Sequence, residues 1–161
     1  MGIVNKVDSL IAREVMCGVY LNAGPEISVA STKSFTSMII VLSLIEMWFS
    51  QFNNNFLNNE KINCLRFLSN TLNNLLFDIK FLREIDNLKE FIINKNIHNI
   101  FILGKNNLFS VACEGSLKIK EVTYLHCEGF SAGSLKHGPF ALLDKTNLTL
   151  LLIDYNDLNN Y

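Results

Sequence analysis

Ile100-Phe101-Ile102-Leu103-Gly104 is the stretch on which the fold turns. A short apolar run closed by glycine has the pattern of a buried strand. A helical pattern follows from about Ser110 to His126. After a glycine-bearing loop, Leu148-Thr149-Leu150-Leu151-Leu152-Ile153 is a second fully apolar run. Strands apolar on both faces, alternating with helices, imply a parallel sheet covered on both sides. The expected class is α/β, with parallel sheets flanked by helices.

Glycine and proline mark the rest of the organisation. None occurs between Glu26 and Leu103, whereas they cluster at Gly18–Pro25 and Gly104–Pro139. Sharp turns are therefore concentrated in two places. Ile3–Val7 and Gly18–Leu21 have the pattern of short strands, the second ending at Asn22-Ala23-Gly24-Pro25. From Thr32 to about Phe52 runs a long helix that Ser31 can cap; it is apolar on nearly all sides and expected to be buried. An Asn53-Asn54-Asn55 turn ends it. Lys61–Ile79 and Glu84–Asn94 carry leucine, isoleucine and phenylalanine at helical spacing. The asparagine-rich turns at 53–59 and 94–99 resemble low-complexity insertions without chemistry of their own.

Composition narrows the function. The chain has 161 residues, a length that predicts one domain, and 49 % of them are hydrophobic, enough to build a core. Lys+Arg 14 against Asp+Glu 15 leaves no basic excess for a nucleic-acid surface or a polybasic membrane contact. The apolar stretch Met38–Phe49 is too short to span a bilayer and contains Glu46. No secretory or lipidation signal opens the chain. Cys17, Cys64, Cys113 and Cys127 form no C-x-x-C pair and no zinc-ligand spacing, so reduced, mostly buried thiols are expected. These features point to a cytoplasmic protein with no membrane or nucleic-acid partner and no metal.

Three places carry chemistry. Glu114, Lys118 and Glu121 stand at i, i+4 and i+7 of the 110–126 helix and fall on one polar stripe. A solvated stripe with ordinary ion pairing has the same spacing. His137 lies in Ser131-Ala132-Gly133-Ser134-Leu135-Lys136-His137-Gly138-Pro139, on a turn braced by glycine and proline. Imidazole exchanges protons near neutral pH, so this histidine is an acid/base candidate. His98 and His126 have the pattern of a turn residue and a helix-end residue. The segment Asn22–Lys33 leads into a helix N-terminus, whose free N–H groups and small hydroxyls suit a phosphate or sugar hydroxyls; Ser31 as a simple cap fits equally.

The stretches N-A-G-P-E-I-S-V-A-S-T-K-S-F-T-S (22–37), E-G-S-L-K-I-K-E-V-T-Y-L-H-C-E-G (114–129) and A-G-S-L-K-H-G-P-F-A-L-L-D (132–144) together resemble the isomerase half of the glucosamine-6-phosphate synthases, the glutamine–fructose-6-phosphate amidotransferases. The motifs occur in that family's order and at about its spacing. The resemblance implies sugar-isomerase (SIS) subdomains of flavodoxin-like type. Residues 1–85 would be the end of the first subdomain with its linking helices, and 86–161 the start of the second. It implies conversion of fructose 6-phosphate and glutamine-derived ammonia to glucosamine 6-phosphate without a cofactor.

By the same resemblance, Glu121 matches the base that moves a proton between C1 and C2. Lys118 matches a lysine that stabilises enolate-like charge, and Glu114 orients it. His137 matches the ring-opening histidine, which in the family comes from the partner subunit, implying a homodimer or larger. Val29 (through its backbone) and Ser31 match positions that contact the sugar phosphate. Ser28 stands where the family has Gly, Ser134 where it has Glu, and Asn106 where Gly is common. The resemblance places a glutaminase domain and a phosphate-cradling loop upstream of Met1, and a carbonyl-engaging lysine beyond Tyr161. The 161 residues alone are thus expected to be inactive. A sibling SIS isomerase or deglycase, and a non-catalytic sugar-phosphate-binding module, are the competing readings.

Overall fold

The computed structural model describes residues 1–54 and 59–155. It divides into two compact units, Met1–Asp78 and Ile79 onward. In the first unit β1 (Gly2–Val4), α1 (Leu10–Glu14), β2 (Gly18–Tyr20), α2 (Lys33–Asn54) and α3 (Asn59–Leu76) follow one another. In the second come α4 (Ile79–Asn94), β3 (Asn99–Gly104), α5 (Asn107–Thr123), β4 (His126–Ser131), two 3-10 turns at Ala132–His137 and Pro139–Leu142, and β5 (Asn147–Leu152).

Both sheets are parallel. In the first unit β1 pairs with β2, with Gly2 opposite Gly18 and Val4 opposite Tyr20. In the second the order is β4-β3-β5, and the apolar run that decides the fold is the central strand. Ile100 stands opposite Cys127 on one side and Leu148 on the other. Ile97, Ile100, Ile102, Ala112 and Cys127 form the buried cluster, with Ile92 of α4, Ile119 of α5 and Leu148, Leu150 and Leu152 of β5 packed against it. Phe101 is also buried and meets Phe130 ring to ring at 5.9 Å. Central burial on both faces is what the sequence pattern required.

Two glycines set the distance between helix and sheet. A Cβ on Gly104 would lie 2.1 Å from the Leu108 carbonyl oxygen, and one on Gly129 would lie 2.6 Å from the Cys113 backbone nitrogen. Neither position admits a larger residue without moving backbone.

Several expectations are corrected. The 126–131 stretch is strand β4, not loop, so His126 belongs to a strand and the preceding helix ends at Thr123. α1 has no counterpart in the sequence reading; Ser9 caps it by accepting from the Ala12 N–H at 3.3 Å. The break between α3 and α4 falls at Phe77-Asp78, so α4 begins five residues earlier than Glu84. Asn53 and Asn54 still belong to α2, and 55–58 of the asparagine-rich turn lie outside the described residues.

α2 itself is not buried. Among its described residues only Met47 is enclosed, while Phe35, Ile39, Leu42, Leu44, Trp48, Phe49 and Phe52 are exposed. Its apolar circumference exceeds what the described residues of its unit can cover. Over Lys33–Phe52 the helix is also long and apolar enough to cross a membrane by length and composition, which the 38–49 run alone is not. A core helix meets the same criterion. The thiols are corrected likewise: Cys127 is buried, but Cys17, Cys64 and Cys113 are exposed, all of them unbridged.

Candidate active site

α5 follows Gly104 across a tight connection in which Asn106 takes φ 50 and ψ -121. Ala112 and Ser116 face the sheet and are buried, and the Ser116 hydroxyl donates to the Cys113 carbonyl at 2.7 Å. The polar stripe lies on another face of the helix. There Lys118 Nζ donates to Glu121 Oε2 at 2.7 Å and lies 3.4 Å from Glu114 Oε1. All three side chains are about one quarter exposed, at 23 to 27 %. The spacing read from sequence therefore produces a closed carboxylate–ammonium–carboxylate group. The hydrogen bond to Glu121, then the charges of Glu121 and Glu114, push the Lys118 ammonium above its ordinary value. Lys118 is consequently a fixed cation, able to face developing negative charge. Glu121, held by it, can exchange a proton with a bound molecule.

His137 is not brought to this group. It ends the first 3-10 turn, is exposed, and no hydrogen bond or ion pair ties it to Glu114, Lys118 or Glu121 among the described residues. Topology gives the reason. From β3 the chain steps to β4 in one direction and then returns past β3 to β5. Right-handed crossovers in opposite directions put α5 on one face of the sheet and the 132–142 connection on the other. Strand alternation agrees: Ile100 and Ile102 join the cluster with Ala112 of α5, while Phe101 points away from it.

The 22–34 loop brings a residue that sequence reading missed. Glu26 Oε1 accepts from the N–H groups of Thr32 at 2.8 Å and Ser34 at 3.2 Å, and Oε2 accepts from Ser34 Oγ at 2.6 Å. Glu26, rather than Ser31, thus satisfies the start of α2, and those N–H groups are not free for a phosphate. The Ser34 hydroxyl and N–H contribute most to lowering its carboxyl pKa from 4.5 to about 2. Ser31 Oγ lies 2.7 Å from Ser34 Oγ, and Val29 is exposed beside it in the chain. A capping side chain eight residues from its partner lies outside the three-residue spacing by which capping boxes are recognised, so no local signal marked Glu26. Among the described residues no group of three or more His, Cys, Asp or Glu could hold a metal.

Residues 92–159, which hold the central sheet and the Glu114–Lys118–Glu121 group, match the SIS domain family. That stretch of the chain is similar to a SIS domain. Over its whole length it is similar to glutamine–fructose-6-phosphate aminotransferases (isomerizing): 41 % identical to that of Chlorobaculum tepidum, with 100 % of this chain aligned to 25 % of the relative. The Encephalitozoon cuniculi relative is 39 % identical over 98 % of this chain and 22 % of its own length. A human relative, numbered 2, is 40 % identical over 95 % and 22 %. Among solved structures, the C-terminal domain of glucosamine-fructose-6-phosphate aminotransferase from Francisella tularensis superposes with TM-score 0.81 at 30 % identity, covering 98 % of this chain and 44 % of that one. The SIS-type α/β fold is thereby established, and the chain spans about a quarter of the length of the curated relatives it matches.

Proposed function

We propose that this SIS-domain chain supplies isomerase chemistry to a glutamine–fructose-6-phosphate aminotransferase, turning fructose 6-phosphate and ammonia into glucosamine 6-phosphate for hexosamine biosynthesis. The carrying observation is the Lys118 ammonium held 2.7 Å from Glu121 and 3.4 Å from Glu114 on α5. In this reading Glu121 takes a proton from C1 of the sugar and returns it to C2. A single carboxylate on one face of the substrate suits both transfers. Lys118 balances the negative charge that builds between them, and Glu114 keeps Lys118 aimed. Val29, through its backbone, and Ser31 contact the sugar phosphate.

His137 opens the sugar ring, and it does so on the site of a second copy. The position of the 132–142 connection across the sheet from α5 supports that assignment, and with it a homodimer or larger assembly. The two compact units support a reading as parts of two SIS subdomains, taken as 1–85 and 86–161. Relatives about four times as long support a glutaminase domain as the ammonia source and little or no turnover by the 161 residues alone, and in this reading the enzyme is cytoplasmic.

A chimera tests the assignment, with residues 1–161 replacing the matching stretch of the Chlorobaculum tepidum relative. Glu121→Gln in it should abolish formation of glucosamine 6-phosphate while leaving fructose 6-phosphate binding nearly intact. Undiminished turnover in that variant would sink the role given to Glu121.

A further inference from the structure

We infer that Asn147 and Asn99 are positioning residues for His137: they pin the far end of the connection that carries the histidine and so aim its imidazole. The inference rests on the ring-opening role given to His137 and adds what holds that residue in place.

His137 has no anchor of its own among the described residues. It is exposed at the end of the first 3-10 turn, and Gly138 behind it takes φ 147 and ψ -61, a conformation that favours glycine. A Cβ on Gly133 or Gly138 would meet nothing within 4 Å, so the connection stands clear of its surroundings at both positions. Beyond Gly138 the chain stiffens. Pro139, with its ring-fixed φ, opens the second 3-10 turn. The Ala141 N–H donates to the Gly138 carbonyl at 3.0 Å, and the Leu143 N–H to the Phe140 carbonyl at 3.3 Å. Pro139–Leu142 is thus a short lever with His137 just before one end.

The other end is held by two amides. Asn147 Nδ2 donates to the Leu142 carbonyl, while Asn147 Oδ1 accepts from Asn99 Nδ2 at 2.7 Å. Asn99 stands opposite Asn147 in the β3–β5 register and opens the central strand. One side chain therefore has its acceptor on the sheet and its donor on the lever, a division that only an amide of this size supplies. β5 is already held along its length by the backbone ladder to β3. The bond to Leu142 consequently fixes the connection rather than the strand.

Ring opening separates an aimed histidine from a merely stable fold. An analogue of fructose 6-phosphate without its C5 hydroxyl cannot close a furanose ring and needs no opening. In the chimera, Asn147→Asp keeps the acceptor for Asn99 but sets a carboxylate oxygen against the Leu142 carbonyl. Its kcat/KM on fructose 6-phosphate should fall about tenfold, with kcat/KM on the analogue unchanged. Equal losses on both substrates, or no loss on either, would overturn the inference. His137→Gln run alongside keeps the two claims apart. Equal losses in that variant sink the ring-opening role itself, whereas a selective loss there and an unselective one in Asn147→Asp sinks only the role of Asn147.

Nitrogen-15 relaxation of the 161-residue chain reads the same device without substrate. The amides of 137–142 should be ordered in the wild type and gain fast motion in Asn147→Asp, while those of β3 and β5 stay unchanged. Equal motion in both proteins, or motion that spreads into β5, overturns the inference.

Discussion

Lys118 and Glu26 show two ways in which a side chain's charge is fixed by neighbours. Lys118 sits between two carboxylates one turn away on its own helix. That arrangement was legible because helix geometry dictates which residues meet at i+3 and i+4. Glu26 reaches across a loop to residues six and eight positions on, and the spacing there reflects loop shape, which no periodicity reports. Both make pH predictions of opposite sign. The Lys118 ammonium is held above 10.5, so its contribution to stability is complete at neutral pH and fades only as pH rises through that raised value. The Glu26 carboxyl falls from 4.5 to about 2, so its contribution is complete above 4.5 and is lost as pH drops toward 2. Urea unfolding of wild type and Glu26→Gln across that acid range should show their stability difference shrinking with falling pH. A difference that grew instead would mean that the carboxylate at the start of α2 does not stabilise the loop.

Among the elements, those legible from sequence are the ones whose own residues demand burial. β3 and β5 are apolar runs, and both form at nearly the expected limits. β4 was missed because His126-Cys127-Glu128-Gly129-Phe130-Ser131 mixes charge and glycine with two apolar residues. It is a strand because it pairs in register with β3, from Asn99 opposite His126 to Gly104 opposite Ser131, and because Gly129 lets α5 approach. Gly129→Ala should therefore cost about 3 kcal/mol, since the added methyl meets backbone rather than a movable side chain. Asn106 is the converse case. Its φ of 50 with ψ of -121 is a conformation natural to glycine and strained for other residues. Asn106→Gly should stabilise the chain by about 1 kcal/mol, a rise of a few degrees in Tm. Thermal melts of the two variants check both signs; an unchanged or lowered Tm in Asn106→Gly would show that the connection is not strained.

For the whole molecule, the proposed function takes Glu121 from one copy and His137 from another, in keeping with the opposite crossover directions of the β4-β3-β5 sheet. Sequence could mark both residues as acid/base candidates, but only topology says that they stand on opposite faces. If each site takes Glu121 from one subunit and His137 from the other, two inactive variants should restore each other. In the chimera, Glu121→Gln and His137→Gln homodimers each lack one essential group at every site. A mixed dimer places both lesions in one site and leaves the other site whole. Equal amounts exchanging at random make half of the dimers mixed and half of their sites intact, so activity should return to about a quarter of wild type. The measurement is glucosamine 6-phosphate formation after the two purified variants are dissociated and reassembled together. Activity no higher than that of the separate variants would place His137 and Glu121 in the same site of one chain, and would require the 132–142 connection to rearrange around the edge of the sheet.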